Sequence, residues 1–156
     1  MAATGTVNTV APKFGSFNYN VASQMTDSRR YSVLTGTLAN LEVHSGYAYN
    51  GAARLTSITH ARTEIAAGEA WNGTATLTAS ITPTNTIAAY AFAYDRDNRM
   101  TSMGSYADRF TTSFTHDPAD QLTAATSVAI AGLAAPAPLP TADSYNLDAK
   151  HSCISS

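Results

Sequence analysis

Apolar and polar residues alternate along much of this chain with the two-residue period of a β-strand. In TATLTASIT, Thr74 to Thr82, one face carries Leu77, Ala79 and Ile81 and the other Thr76, Thr78 and Ser80. LTSIT (Leu55 to Thr59) and YAFAY (Tyr90 to Tyr94) alternate in the same way. Asn72-Gly73, just ahead of the first stretch, is a two-residue hairpin signal. Thr and Ser are frequent throughout, and they favour strands and turns over helix interiors. The best helix candidate is HARTEIAAGEAW, His60 to Trp71, which Gly68 weakens. AGLAAPAPLPTAD, Ala131 to Asp143, reads as an extended linker or surface loop, because its prolines cannot donate to a strand ladder. The pattern predicts an all-β chain of antiparallel hairpins.

One pattern recurs. FNYNVASQMTD starts at Phe17, YAYNGAARLTS at Tyr47, FAYDRDNRMTS at Phe92, FTHDPADQLTA at Phe114 and YNLDAKHSCIS at Tyr145. The shared template is an aromatic, any residue, Tyr, Asp or Asn, three turn residues, Arg or Gln, Leu or Met, then Thr. The repeat-motif positions are Tyr19 and Asn20; Tyr49, Asn50 and Arg54; Tyr94, Asp95 and Arg99; His116, Asp117 and Gln121; and Tyr145 with Asp148. Their third positions lie 30, 45, 22 and 31 residues apart, so this is a motif array with variable insertions.

Elementary stereochemistry makes the template a hairpin. Side chains two apart, such as Phe92 and Tyr94, share a sheet face. Asp95 opens the turn, where its carboxylate can accept a backbone N–H two residues on. Asn98, the third turn residue, falls where a positive φ is needed, and Asn tolerates that better than most residues. The charges of YDRDNR are then a solvated turn, with Asp95 and Arg99 pairing across it. Turns are expected at Val21–Ser23, Gly51–Ala53, Arg96–Asn98 and Pro118–Asp120.

These residues resemble the YD repeat, or RHS repeat, of bacterial Rhs toxins, wall-associated proteins and teneurins. The resemblance runs from Phe17 to Ser156, with YAYNGAARLTS and FAYDRDNRMTS the nearest copies. It implies an antiparallel hairpin array forming a twisted sheet strip, part of an RHS/YD shell, with irregular loops. It also implies a secreted or cell-surface setting and a structural role. The implied partners are neighbouring YD repeats or further copies meeting at sheet edges, with carbohydrate as a candidate ligand. The chain divides into an N-terminal extension (1–16), the hairpin array (17–130), the Ala/Pro-rich loop (131–143) and a degraded fifth repeat (144–156). The family often has Gly as third turn residue; here Ser23, Ala53, Asn98, Asp120 and His151 occupy that slot.

Composition sharpens this picture. The 44% of hydrophobic residues includes 29 alanines, whereas Leu, Ile, Val and Phe together number 26 of 156, enough for a single sheet with a thin core. A net charge of -2 gives no basic footprint for nucleic acid. No apolar run reaches membrane-spanning length. The opening MAATGTVNTVAPKFG lacks the basic segment and apolar run of a signal peptide. Cys153 is the lone cysteine and has no internal disulfide partner.

Candidate chemistry is sparse, and neither a catalytic residue nor a cofactor or metal ligand is assigned. HDPADQL, His116 to Leu122, resembles the Asp-Pro motif at the self-cleavage site of Rhs cores, and an Asp pair can do acid–base work, but the repeat register accounts for the stretch as turn residues. His44, His60, His116 and His151 match no zinc spacing and read as surface histidines. NGT at Asn72 fits a glycosylation acceptor, with the hairpin turn the stronger reading. Trp71 and the tyrosines fit either a sugar-stacking platform or sheet core.

Overall fold

The computed structural model describes residues 11–74 and 81–133, and the backbone of 143–147 and 153–155. Ten strands run β1 (Phe14–Tyr19), β2 (Met25–Tyr31), β3 (Leu41–Tyr49), β4 (Leu55–Ala61), β5 (Thr86–Tyr94), β6 (Met100–Ser105), β7 (Phe110–His116), β8 (Leu122–Ala129), β9 (Asp143–Leu147) and β10 (Cys153–Ser155). They form one open sheet in chain order, each antiparallel to the next. This is the all-β hairpin array expected from the alternation. A 3₁₀ turn, Leu38–Asn40, leads into β3. Most of TATLTASIT and of the Ala/Pro-rich stretch, and residues 1–10 of the N-terminal extension, lie outside the described residues.

Chain order decides where the repeats sit. The four turns at 20–24, 50–54, 95–99 and 117–121 close the hairpins β1–β2, β3–β4, β5–β6 and β7–β8. All four therefore line one end of the sheet in a row. The uneven spacing of the motifs is taken up at the opposite end. There a tight turn at 106–109 joins β6 to β7, and the long connection 62–85, described over 62–74 and 81–85, lies between β4 and β5.

Each template hairpin also carries the same bulge. Asn18 faces Asp27 but Tyr19 faces Met25, which leaves Thr26 as the extra residue. Thr56, Thr101 and Thr123 are the extra residues at the next three hairpins. The template Thr is thus a bulge residue, which brings the Leu or Met before it opposite the template Tyr or His.

The two sheet faces differ. Cross-strand partners share a face, and one row runs Tyr47, Ile58, Tyr90, Ser105, Phe110. The adjacent row on the other face runs Ala48, Ser57, Ala91, Gly104, Thr111. The connection at 62–74 crosses this small-residue face and supplies the core above it. Ile65 packs there with Ala61 and Ile81, and Trp71 with Ala89 and Ile130. A Cβ built on Gly104 would lie 3.4 Å from Trp71 Cη2, so the missing side chain lets the indole rest on the strand. Trp71 also meets Tyr106 edge-on at 5.6 Å and donates from Nε1 to Thr74 O at 2.7 Å.

His60 to Trp71 is not a helix. Its first two residues end β4 and the rest is irregular. Gly68 has φ +82°, a left-handed conformation that interrupts any helix there. The apolar residues Ile65 and Trp71 bury themselves against the small-residue face of the sheet without one.

Candidate functional site

The strongest recurring geometry is the turn. Asn20 Oδ1 accepts from the N–H of Ala22 and Gln24, at 2.9 and 3.0 Å. Asn50 Oδ1 accepts from Ala52 and Arg54, at 3.0 and 3.1 Å. Asp95 Oδ1 accepts from Asp97 and Arg99, at 2.9 and 3.0 Å. Asp117 Oδ1 accepts from Ala119 and Gln121, at 2.8 and 2.9 Å. One side-chain oxygen therefore satisfies two backbone donors inside each of these four turns, which is why the slot is restricted to Asp or Asn. Burial raises the Asp95 carboxyl pKa, but Arg99 and the two backbone donors outweigh it and hold the group below the usual carboxylate value.

The third turn residue has positive φ in all four: Ser23 at 59°, Ala53 at 61°, Asn98 at 66° and Asp120 at 65°. The slot takes the left-handed geometry expected of it without a glycine. Arg109, outside the template, does the same at 62° in the tight turn of the opposite end.

The Arg or Gln slot reaches forward to the next turn. Gln24 Nε2 donates to Ala53 O at 3.0 Å. Arg54 Nη1 donates to Asp95 O at 2.6 Å and to Asn98 Oδ1 at 3.2 Å. Arg99 Nη1 donates to Asp117 O at 3.2 Å and to Asp120 Oδ1 at 2.9 Å. Arg99 also pairs back to Asp95 through Nε at 2.7 Å, the contact expected from the sequence. Tyr49 OH donates to Met25 O of the preceding repeat at 2.9 Å. Repeat positions that look local in the sequence thus form a chain of contacts from turn to turn. Tyr145 falls on β9 and Asp148 lies outside the described residues.

A second cluster was not foreseen. Asp27 and Arg29 of β2, His44 of β3 and Glu64 of the crossing segment meet at a cleft of about 540 Å³. Arg29 pairs with Asp27 through Nη1 and holds Glu64 through Nε at 3.0 Å and Nη2 at 2.5 Å. His44 is only 2% exposed, so it is no surface histidine. Its Nδ1 accepts the Ile65 N–H at 2.8 Å. Burial and the neighbouring Arg29 push its pKa down, against Glu64 and Asp27. His60 is also half-buried, with Ser45 Oγ 2.7 Å from its Nδ1, and burial lowers its pKa too. The signal available in the sequence was the opposite-charge pair two apart in TDSRRY, which places Asp27 and Arg29 on one face. His116 is half-buried and His151 lies outside the described residues.

Trp71 is 2% exposed and offers no face to a sugar. Among the described residues, Phe17 and Tyr19 on β1 are the aromatics most open to solvent, at 61% and 62%. Among the described residues, no group of three or more His, Cys, Asp or Glu is placed to hold a metal ion, and no helix is long and apolar enough to cross a membrane. Compared with protein-family models and with curated proteins, the sequence finds no match.

Proposed function

We propose that the chain is a non-enzymatic structural module: a stretch of YD-repeat sheet from a cell-surface or secreted RHS-like protein. The observation that carries this reading is the repeated turn, with two backbone donors on one Asp or Asn oxygen at four hairpins and a Gln or Arg bridging each turn to the next. A strip extended by adding hairpins needs a unit of this kind, one whose polar groups are spent on the turn and on its neighbour. Its ends favour further neighbours. No described strand pairs with the outer edge of β1, and no described hairpin supplies a Gln or Arg to the first turn. An open edge of this kind invites another strand. The partner is then a further YD hairpin or a second copy of this chain.

A binding module for carbohydrate or protein is the second reading, favoured by exposed Phe17 and Tyr19 beside the aromatic face. A self-cleaving aspartyl site at Asp117 and Asp120 is the third. Against it stands the use already made of both carboxylates: Asp117 caps its turn and Asp120 accepts from Arg99.

Two measurements on the purified chain separate these readings. Intact mass after prolonged incubation should not change, and a glycan array should stay blank. Cleavage beside Asp117 that disappears in Asp117→Asn would replace the structural reading with the enzymatic one. Saturable binding to one glycan class, lost in Tyr19→Ala, would replace it with the binding one.

A further inference from the structure

The segment at 62–74 is held to the sheet partly through one imidazole, and that contact depends on a proton. His44 Nδ1 accepts the Ile65 N–H, so neutral His44 carries its proton on Nε2. Nε2 is buried without a hydrogen-bond partner, and Asp27 Oδ1 stands 3.6 Å away. On the other side Glu64 Oε2 stands 3.7 Å from Nδ1. Both carboxylates are tied to Arg29. The groups around the ring are therefore Asp27 and Arg29 from β2, Glu64 from the crossing segment, and Glu69 further along the same cleft. From β4, the facing positions Thr59 and Ala61 carry no charge.

We propose that His44 is a proton-operated latch, holding the 62–74 segment on the sheet when neutral and releasing it at Ile65 when a proton is taken up from solvent. The added proton goes to Nδ1, the ring's one basic lone pair, which the Ile65 N–H now occupies. An N–H there faces the Ile65 N–H, and two donors cannot share that 2.8 Å contact. The new Nδ1–H turns to Glu64 instead, in competition with Arg29. Ile65 loses its anchor, and with it the packing over Gly46 and against Ala61 and Ile81. Acid thereby uncovers the small-residue floor of the sheet while the strand ladder stays intact. This inference does not depend on the YD-repeat reading.

Hydrogen exchange of the whole chain tests it, read at the Ile65 amide and corrected for intrinsic pH dependence. Below pH 6.5, the ordinary histidine value, Ile65 protection should fall about tenfold, as expected for one lost hydrogen bond. Amides of β3 and β4 should remain protected. His44→Asn keeps an acceptor but cannot titrate, so Ile65 should then be insensitive to pH in this range. His60→Asn should behave as wild type. Should the His44 variant fail to fold, ¹⁵N-histidine NMR on the wild-type chain decides. The His44 ring and the Ile65 amide should titrate with one midpoint. The proposal is overturned by different midpoints, by unchanged pH dependence in His44→Asn, or by protection at Ile65 that persists until the sheet itself unfolds.

Discussion

Arg54 donates from Nη1 to the main-chain carbonyl of Asp95, 41 residues further on, and its guanidinium lies 5.0 Å from the centroid of the Tyr94 ring. The two contacts clamp the opening of one hairpin turn from the side chain that closes the one before. They depend on the meander, which places successive template turns side by side at one end of the sheet.

Arg54→Ala should therefore cost about 1.5–3 kcal/mol, the range for a lost charge-assisted hydrogen bond. Arg54→Gln should lose less. An amide can still reach the next turn, as Gln24 does to Ala53 O. Urea melts of the two variants test this. Equal losses would mean that only the stacking on Tyr94 counts.

The third turn position separates strain from contact. Ala53 sits at φ +61° with a Cβ, a conformation that favours glycine. Ala53→Gly should stabilise by about 0.5–1 kcal/mol, offset in part by the greater freedom of the unfolded chain. Asn98 has a similar φ but tolerates it better, and its side chain accepts from Arg54. Asn98→Gly should be neutral or destabilising. Denaturant midpoints in the reverse order would show that backbone strain does not govern this slot.

Much of this was legible because a turn is a local object. The Asp or Asn oxygen, the three turn residues and the left-handed slot lie within five residues, and stereochemistry alone assigns them. The slot's φ held even at Ser23 and Ala53, where no glycine signals it. What could not be read needed the partner strand. The template Thr looked like a strand residue, yet Thr26, Thr56, Thr101 and Thr123 are bulges visible only in the pairing. The Arg slot was read as a partner for its own turn, since its reach to the next one follows from strand order. His44 looked solvent-exposed because the segment that buries it comes 20 residues later, and its apolar anchors, Ile65 and Trp71, are too sparse to announce a cover.

Trp71 is the largest side chain in that cover, and the sheet floor beneath it is made of small residues, Ala89, Ala91 and Gly104 among them. Trp71→Ala leaves a void that such small neighbours cannot fill, and should cost about 3–5 kcal/mol. Trp71→Phe keeps most of the packing against Ala89, Ile130 and Tyr106 but loses the bond to Thr74 O. It should cost about 1–2 kcal/mol by the loss of one hydrogen bond and part of the ring. Equilibrium unfolding followed by circular dichroism reads both. A Trp71→Ala chain as stable as the wild type would show that the sheet holds together without its cover.

Acid should weaken the fold in two stages, and the sign follows from the direction of each shift. His44 and His60 both have folded pKa values below 6.5, chiefly through burial. As pH drops under that value the unfolded chain takes up protons that the folded chain refuses. Their contribution is thus fully present above 6.5 and is lost as pH falls through the folded values. Glu64 is lowered from 4.5, mainly by its hydrogen bond from Arg29, and Asp95 from 3.8 as described above. Both contribute above those values and lose the contribution as pH falls through the depressed ones, which starts the second stage. None of these four groups offsets the others in acid. The urea midpoint should be highest above pH 6.5, decline gently below it and steeply under 4.5. His44→Asn and His60→Asn should each flatten the first decline, while Asp95→Asn flattens the second. A midpoint that rises as pH is lowered from 6.5 toward 4.5 would mean that the Asp27 and Glu64 carboxylates dominate His44 and stabilise its charged form.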